Sequence, residues 1–308
     1  MKAYFKDHRF TGLKRWFWML ILLPMAGMVV GQEEAMEMKD KSPVKNTFQS
    51  VWMMDQQTVM VPIKKTFEMD FQHRFGTWEN GYKEFYGIFA PSNIRIGFDY
   101  VPVDRLLVGF GFTKNNLLWD AFGKYALLRQ GKEAGSPVSL TYYVNADIDT
   151  REEDKTDFKE STDRWSFFHQ VMVARKFSDD FSLQLSGNLS WFNYKSPVFD
   201  DQGIHLGRDK NAQFSISGIA RYKLSNVMGV MVAYDQPITD QRFFDPEPNL
   251  SLGVEIVTSS HAFQLFVGNF SSLVPQYNHS FNSNSFETGP LGQNQFLIGF
   301  NLTRLWNF

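Results

Sequence analysis

Six histidines, His8, His73, His169, His205, His261 and His279, are the residues on which a metal centre or a general base would have to be built. No two stand at a spacing that makes a ligand pair, so no metal site is expected. Cysteine is absent, which removes disulfides, thiolate ligands, thiol nucleophiles and attachment of lipid to a cysteine. The chain carries neither a Gly-rich phosphate loop nor a Gly-x-Ser-x-Gly elbow. A lipid-acting hydrolase would need a Ser, a His and an orienting Asn or Asp gathered at one rim. His169 and many serines are present, yet no spacing selects a trio. The expectation is a protein without a cofactor that is not an enzyme. A formal charge of −2 also argues against a nucleic-acid partner, which calls for a basic face.

The charged residues say more through their phase. Glu68, Asp70, Arg74, Arg95, Asp99, Asp120, Lys124, Asp147, Asp149, Arg221, Lys223 and Glu255 all sit in runs whose intervening positions are mostly apolar. In "KKTFEMDFQHRF" (64–75), Phe67, Met69, Phe71 and Phe75 oppose Glu68, Asp70, Gln72 and Arg74; in "NIRIGFDY" (93–100), Ile94, Ile96, Phe98 and Tyr100 oppose Arg95 and Asp99. A period of two marks extended strands with one apolar and one polar face.

Twelve such runs follow one another from Lys64 to the end of the chain. Short turns such as "VPVD" and "SDD" alternate with long connections such as "FNYKSPVFDDQGIHLGRDKN"; the brief link near Lys114–Asn116 is the exception. Alternating long and short connections describe up-and-down strands with two unequal rims, as in bacterial outer-membrane barrels. An open sheet of this size would leave two edges exposed, and closure removes them. Phe75, Tyr100, Trp119, Trp165, Phe177, Trp191, Tyr222 and Trp306 stand near strand ends, where interfacial aromatic girdles belong. The fold class expected is therefore all-β: a closed, up-and-down antiparallel transmembrane barrel of about 12 strands over residues 64–308. Outer-membrane lipid would cover its apolar face. On the phase that turns Trp165, Phe167 and Val171 outward, His169 also points to lipid, for no evident reason.

The two ends of the chain add a compartment. Lys2, Lys6, Arg9, Lys14 and Arg15 precede the apolar run "WFWMLILLPMAGMVVG" (16–31), the pattern of a cleaved signal peptide over residues 1–31. The last run, "FLIGFNLTRLWNF" (296–308), keeps large apolar groups up to Phe308. It resembles the terminal strand of outer-membrane barrels, with Thr303 where that strand often carries Gly. The resemblance implies that Phe300, Trp306 and Phe308 form a signal read by the barrel-assembly machinery during biogenesis. Localisation in the bacterial outer membrane follows as the expectation.

"HRFG" (73–76), "NIRIGFDYVPVDRLLVGFG" (93–111) and "WDAFGKYALLRQ" (119–130) carry a further likeness. They resemble an uncharacterised family of bacterial outer-membrane β-barrels, known as a domain of unknown function. The likeness implies the barrel and brings no activity with it.

Glu68, Asp70, Arg74, Arg95, Asp99, Asp120, Lys124, Asp147, Arg221 and Glu255 are expected to line the lumen. Arg74, Arg95 and Asp120 fall near the outer mouth, and Asp70, Asp99 and Lys124 deeper. Their mixed signs fit either a self-neutralising network or a selectivity lining for a neutral or zwitterionic solute. Twelve strands lie between eight, which side chains fill, and sixteen, which leave an aqueous channel. A narrow passive channel for a small solute leads; a closed barrel that binds a partner through its outer loops or periplasmic segment is the alternative, and a lipid-acting enzyme the remote one. Residues 32–63 precede the first strand. "NTFQSVWMMDQQTVMVPI" (46–63) is too apolar for a free linker and too aperiodic for a lipid-facing strand. It is expected on the periplasmic side, folded back as a lumen plug first, added as an extra strand second, or left as a free tail. Oligomeric state is not readable.

Overall fold

The computed structural model describes residues 39–285 and 295–308. The leader expected over 1–31 lies outside the described residues. Twelve strands close into one antiparallel barrel: β1 (Thr66–Thr77), β2 (Asn93–Val103), β3 (Leu106–Thr113), β4 (Leu118–Leu128), β5 (Ser139–Asp149), β6 (Trp165–Lys176), β7 (Phe181–Phe192), β8 (Ala212–Lys223), β9 (Met228–Pro237), β10 (Asn249–Val257), β11 (His261–Gly268) and β12 (Leu297–Asn307). Each pairs with its sequence neighbours, and β12 closes on β1 through a register that sets Leu302 beside Phe71 and Trp306 beside Phe67. Closure leaves no unpaired edge, which is what a lipid surround demands of backbone N–H and C=O groups. No described helix is long and apolar enough to cross a membrane.

The strand phase follows the alternation. Along β1 the polar Glu68, Asp70, Gln72 and Arg74 are buried, whereas Phe67, Met69, Phe71 and Phe75 are half-exposed on the outer surface. Boundaries shift by two or three residues from those expected, chiefly because β2 runs on past a register irregularity to Val103 and β9 runs on to Pro237. His169 faces outward with a reason now visible. It shares a 2.6 Å hydrogen bond with the Tyr142 hydroxyl on β5, so neither polar group meets lipid unpaired.

The girdle residues divide evenly. Phe75, Trp119, Trp165 and Trp191 lie toward the rim of long loops, and Tyr100, Phe177, Tyr222 and Trp306 toward the rim of short turns. The longest short-rim turn, 129–138, has a docking role. Val44 N–H donates to the Gln130 carbonyl (2.8 Å) and Lys132 N–H to that of Ser42 (3.0 Å), so residues 40–45 are strapped to it.

Two segments fill the interior. From the short-turn rim, residues 46–61 fold inward as a tight hairpin, Trp52–Met53 pairing only with Gln56–Gln57; they add no strand to the barrel. From the long-loop rim, the connection after β11 folds inward as a short helix, α1 (Pro275–Phe281), which packs on β6, β7, β8 and β9.

Candidate functional site

The lumen is an inverted core in which charged groups are buried, some paired with one another, some held by neutral hydrogen-bonding groups and some left without a partner. Arg95 on β2 anchors it. Its Nη1 lies 3.0 Å from Asp70 Oδ1, its Nη2 2.7 Å from Asp120 Oδ2, and its Nε donates to Asp120 Oδ1 at 2.9 Å. The cluster thereby joins residues expected at two different depths. Gly97 and Gly111 make the room: a Cβ at Gly97 would meet Asp70 Oδ2 at 1.9 Å, and one at Gly111 would meet the Arg95 guanidinium at 2.4 Å. Removing one partner of such a buried pair strands the other charge, at a cost of about 3–5 kcal/mol.

Two further groups form around the other basic residues. Arg221 Nε sits 2.6 Å from Glu255 Oε2, and Ser50 of the inner segment donates to the second Glu255 oxygen at 2.6 Å. Arg74 lies over Phe266 (4.6 Å) and donates to Asn301 Oδ1 (2.9 Å) and to the Met54 carbonyl (3.1 Å). Asp147 accepts from the Ser166 hydroxyl at 3.3 Å. Lys223 does not join the interior; it is half-buried near the turn, 4.0 Å from Asp180.

Residues 46–61 bind this wall through backbone and side chain alike. Lys124 Nζ donates to Gln57 Oε1 (2.7 Å) and to the Thr58 carbonyl (3.2 Å). Gln264 accepts from Met54 N–H (3.0 Å) and donates to the Trp52 carbonyl (2.8 Å). Gln184 accepts from Val59 N–H (2.8 Å) and donates to the Gln57 carbonyl (2.8 Å). Trp52 fits edge-on between Phe122 and Tyr143, each 6.4 Å away, and lies against Arg95. The hairpin tip is strained, with Met54 at φ 56°. Such a conformation costs a non-glycine residue about 1 kcal/mol or more. Arg74, Gln264 and Asn301, which donates to the Met54 carbonyl at 2.8 Å, hold it there.

The outer segment uses fewer anchors. Gln276 donates to Asn145 Oδ1 (3.0 Å) and Ser166 Oγ (3.2 Å), and His279 shares a hydrogen bond with Ser215. Asp235 is where the two segments converge: it accepts from Gln56 Nε2 and lies 3.9 Å from His279 Nε2. Ser215, His279 and Asp235 are thus a Ser–His–Asp trio that the sequence spacing had not selected. Ser215 and His279 are within hydrogen-bond reach of each other, but the imidazole is not oriented by a hydrogen bond to Asp235. At 3.9 Å the His–Asp contact is beyond a hydrogen bond, and all three side chains are buried against the inner and outer segments.

Sequence reasoning did not single out Asp55, Asp235 or the inward aromatics Phe122, Tyr143 and Phe168. Asp235 had a signal: it keeps the inward phase of β9 after Met231 and Ala233. Among the expected assembly residues, Phe300 stacks on His73 with centroids 5.0 Å apart, Trp306 packs on Phe67 at 5.6 Å, and Phe308 lies exposed past the strand.

A closed barrel with an apolar outer face and a charged, occupied lumen defines a membrane-spanning barrel protein. The chain belongs to the family described as "Membrane bound beta barrel domain (DUF5777)", which matches residues 48–306. That span takes in the inner segment as well as the barrel. No curated protein matches the chain. Among solved structures it is similar to the COG4313 outer membrane channel from Pseudomonas putida F1, at 11% identity and a TM-score of 0.48, over 80% of this chain and 97% of that one. It is also similar to the NanC porin (8% identity, TM-score 0.45, 79% and 99% covered) and the KdgM porin (8%, 0.42, 78% and 99%). The barrel rests on its own strand register, and these distant likenesses do not bear on what passes through it.

Proposed function

We propose that the protein is a narrow passive channel of the bacterial outer membrane for a small solute, held closed by residues 46–61. The observation that carries this reading is the way the lumen is filled. A permanently closed barrel could be packed with its own apolar wall side chains. Here the wall presents charge and hydrogen-bonding groups around an apolar band, and the filling is a segment joined to the barrel next to β1 that meets both, Phe48, Val51, Trp52, Met53 and Met54 packing on wall residues such as Leu107, Phe122 and Phe168. Departure of the segment gives up that apolar packing, while the polar wall groups exchange their contacts for water at little net loss, and a wetted, charged passage remains.

The lining favours a cation or a neutral solute over an anion. With residues 46–61 out of the passage, buried Glu68, Asp70, Asp99, Asp120, Asp147, Asp149, Asp235 and Glu255 stand against Arg74, Arg95, Lys124, Arg221 and Lys195; eight against five leaves an excess of three carboxylates among the described residues. Half-exposed Arg151 offsets one of them through Asp149. Acidic linings select for cations. Asp235 shifts the balance from the zwitterionic or neutral solute that the sequence suggested.

Deleting residues 46–60 is the test. In a planar bilayer the deleted form should conduct steadily and prefer cations, while the intact form stays mostly shut. A heat-modifiable, correctly assembled deletion mutant that does not conduct would instead favour the closed, partner-binding barrel. The same reading assigns Phe300, Trp306 and Phe308 to recognition by the assembly machinery. Trp306→Ser with Phe308→Ser should then lower the amount of assembled barrel.

A further inference from the structure

At the short-turn rim, a cleft of about 450 Å³ separates the inner segment from the wall. Val51, Met60 and Leu305 give it apolar sides, and Ser50 and Thr66 give it hydroxyls. Glu68 lies among the lining residues, 1% exposed, with Oε1 buried and without a hydrogen-bond partner. Directly opposite on β2, Asp99 is also 1% exposed, and neither of its oxygens has a partner. Like charges in this cross-strand position repel. The nearby basic side chains act on them only through space and give them no hydrogen bond: Lys124 donates to Gln57 and Thr58, and Arg95 to Asp70 and Asp120.

Thr258, Ser259 and Thr303 also bring hydroxyls to the lining, and two of the five, those of Ser50 and Thr66, narrow the chemistry. Ser50 Oγ has given its proton to Glu255 and Thr66 Oγ1 has given its own to Asn307. Each therefore offers the cleft only lone pairs, beside a carboxylate that also only accepts. The complement is a group with several donors, a positive charge and a hydrocarbon body. A divalent metal ion fits less well, because Ca²⁺ takes six to eight oxygens and no group of three or more acidic, His or Cys side chains is gathered among the described residues. Exposed Lys45 at the rim would repel a second positive charge.

We propose that this cleft binds a small organic monoammonium ion, with its –NH₃⁺ on Glu68 and its carbon chain against Val51, Met60 and Leu305. Part of the lining comes from the inner segment and the residues that flank it and the rest from the wall and its turn, so an occupant ties the two together. The site does not depend on whether the barrel conducts, and a binding measurement in detergent keeps the two questions apart.

The full chain, purified in detergent micelles at constant ionic strength, is titrated with n-butylammonium chloride in a calorimeter. Saturable one-site binding is expected. Glu68→Gln should weaken it roughly tenfold or more, the worth of a hydrogen bond to a charged group. Ala262→Leu fills the cleft without touching the carboxylate and should weaken binding as well. Uncharged n-butanol and calcium chloride should give no saturable heat. Absence of saturable binding to the intact protein would overturn the proposal. So would preferential binding of calcium, or unchanged affinity in a heat-modifiable Glu68→Gln barrel. If Glu68→Gln does not assemble, unchanged affinity in Ala262→Leu overturns it alone.

Discussion

The two segments that enter the lumen solve the same packing problem from opposite rims, and they differ in how they are tied. Residues 270–282 are bounded by β11 on one side and β12 on the other. Among the described residues, 46–61 are bounded by β1 on one side and, on the other, by the strap of residues 40–45 on the turn 129–138. A segment held at both ends gains little chain entropy when it lets go, and one held firmly at one end gains more. The inner segment compensates with Trp52 wedged between aromatics and with contacts to Lys124, Gln184, Gln264 and Asn301. Stronger contacts on a looser tether describe a removable stopper. Fewer contacts on a double tether describe a fixed constriction.

Deletion should separate them most clearly. Removing residues 46–60 should open a steady conductance, whereas shortening the loop at 271–284 should leave the barrel shut, because the inner segment still crosses it. Equal conductance from both deletions would make the two segments equivalent stoppers.

Within the inner segment, Trp52→Ala should cost about 3–5 kcal/mol of docking, as truncation of a buried Trp does. It should appear as trypsin cleavage near Lys45 in an otherwise heat-modifiable barrel. In the outer segment Phe270→Ala should cost a similar amount, since Phe270 is buried and stacked on Phe266 at 6.1 Å, yet it should expose no trypsin site near Lys45.

Gln264→Ala and Gln276→Ala make a smaller contrast. Each removes an amide from the wall–segment contacts, and each unsatisfied group left behind costs about 1–3 kcal/mol. Gln264 serves Met54, Trp52, Glu255 and Asn301, so its loss should raise the rate of brief channel openings. Gln276 serves only Asn145 and Ser166, and its loss should leave that rate near the parent value. Single-channel recording of both variants reads the difference.

How far these regions could be read in the sequence follows the same divide. The wall was readable because lipid on one side and polar contents on the other impose a period of two. Glu68, Asp70 and Arg74 opposite Phe67, Met69 and Phe71 announce both the strand and its phase. The inner segment was readable as an anomaly: Trp52, Met53 and Met54 lack a period because the hairpin buries all of them. The outer helix was not readable. Its buried residues are Pro275, Gln276, Asn278, His279 and Ser280, which in a chain resemble any solvated loop. In a polar interior the usual link between burial and hydrophobicity is reversed. The pairing inside the lumen was equally hidden, because phase says which residues face inward and not that Arg95 takes both Asp70 and Asp120 while Glu68 and Asp99 stay unpaired.

Acid should move the two segments in opposite directions. Burial, and after it the charge of Asp235, hold the Asp55 carboxyl at the inner hairpin tip well above its ordinary range, with Arg74 acting the other way. Burial also depresses the His279 imidazole on α1 to about 3, beside Ser215 and Asp235. Docked Asp55 holds its proton to higher pH than free Asp55, so the inner segment is most tightly docked in acid and loosens as pH rises above about 4, the free carboxyl range. Docked His279 refuses a proton that free His279 would accept below about 6.5. The outer segment is therefore fully docked above that value and loses stability as pH falls toward 3, by about 1 kcal/mol between pH 7 and 5.5. Lowering the pH from 7 to 5.5 should slow trypsin-independent proteolysis of residues 46–61, probed with a protease active at both values, and speed cleavage around 270–285. His279→Gln, which cannot gain the charge, should abolish the outer response and leave the inner one intact. If both segments loosen together in acid, Asp235, which touches both, titrates as the common switch and the two are not independent.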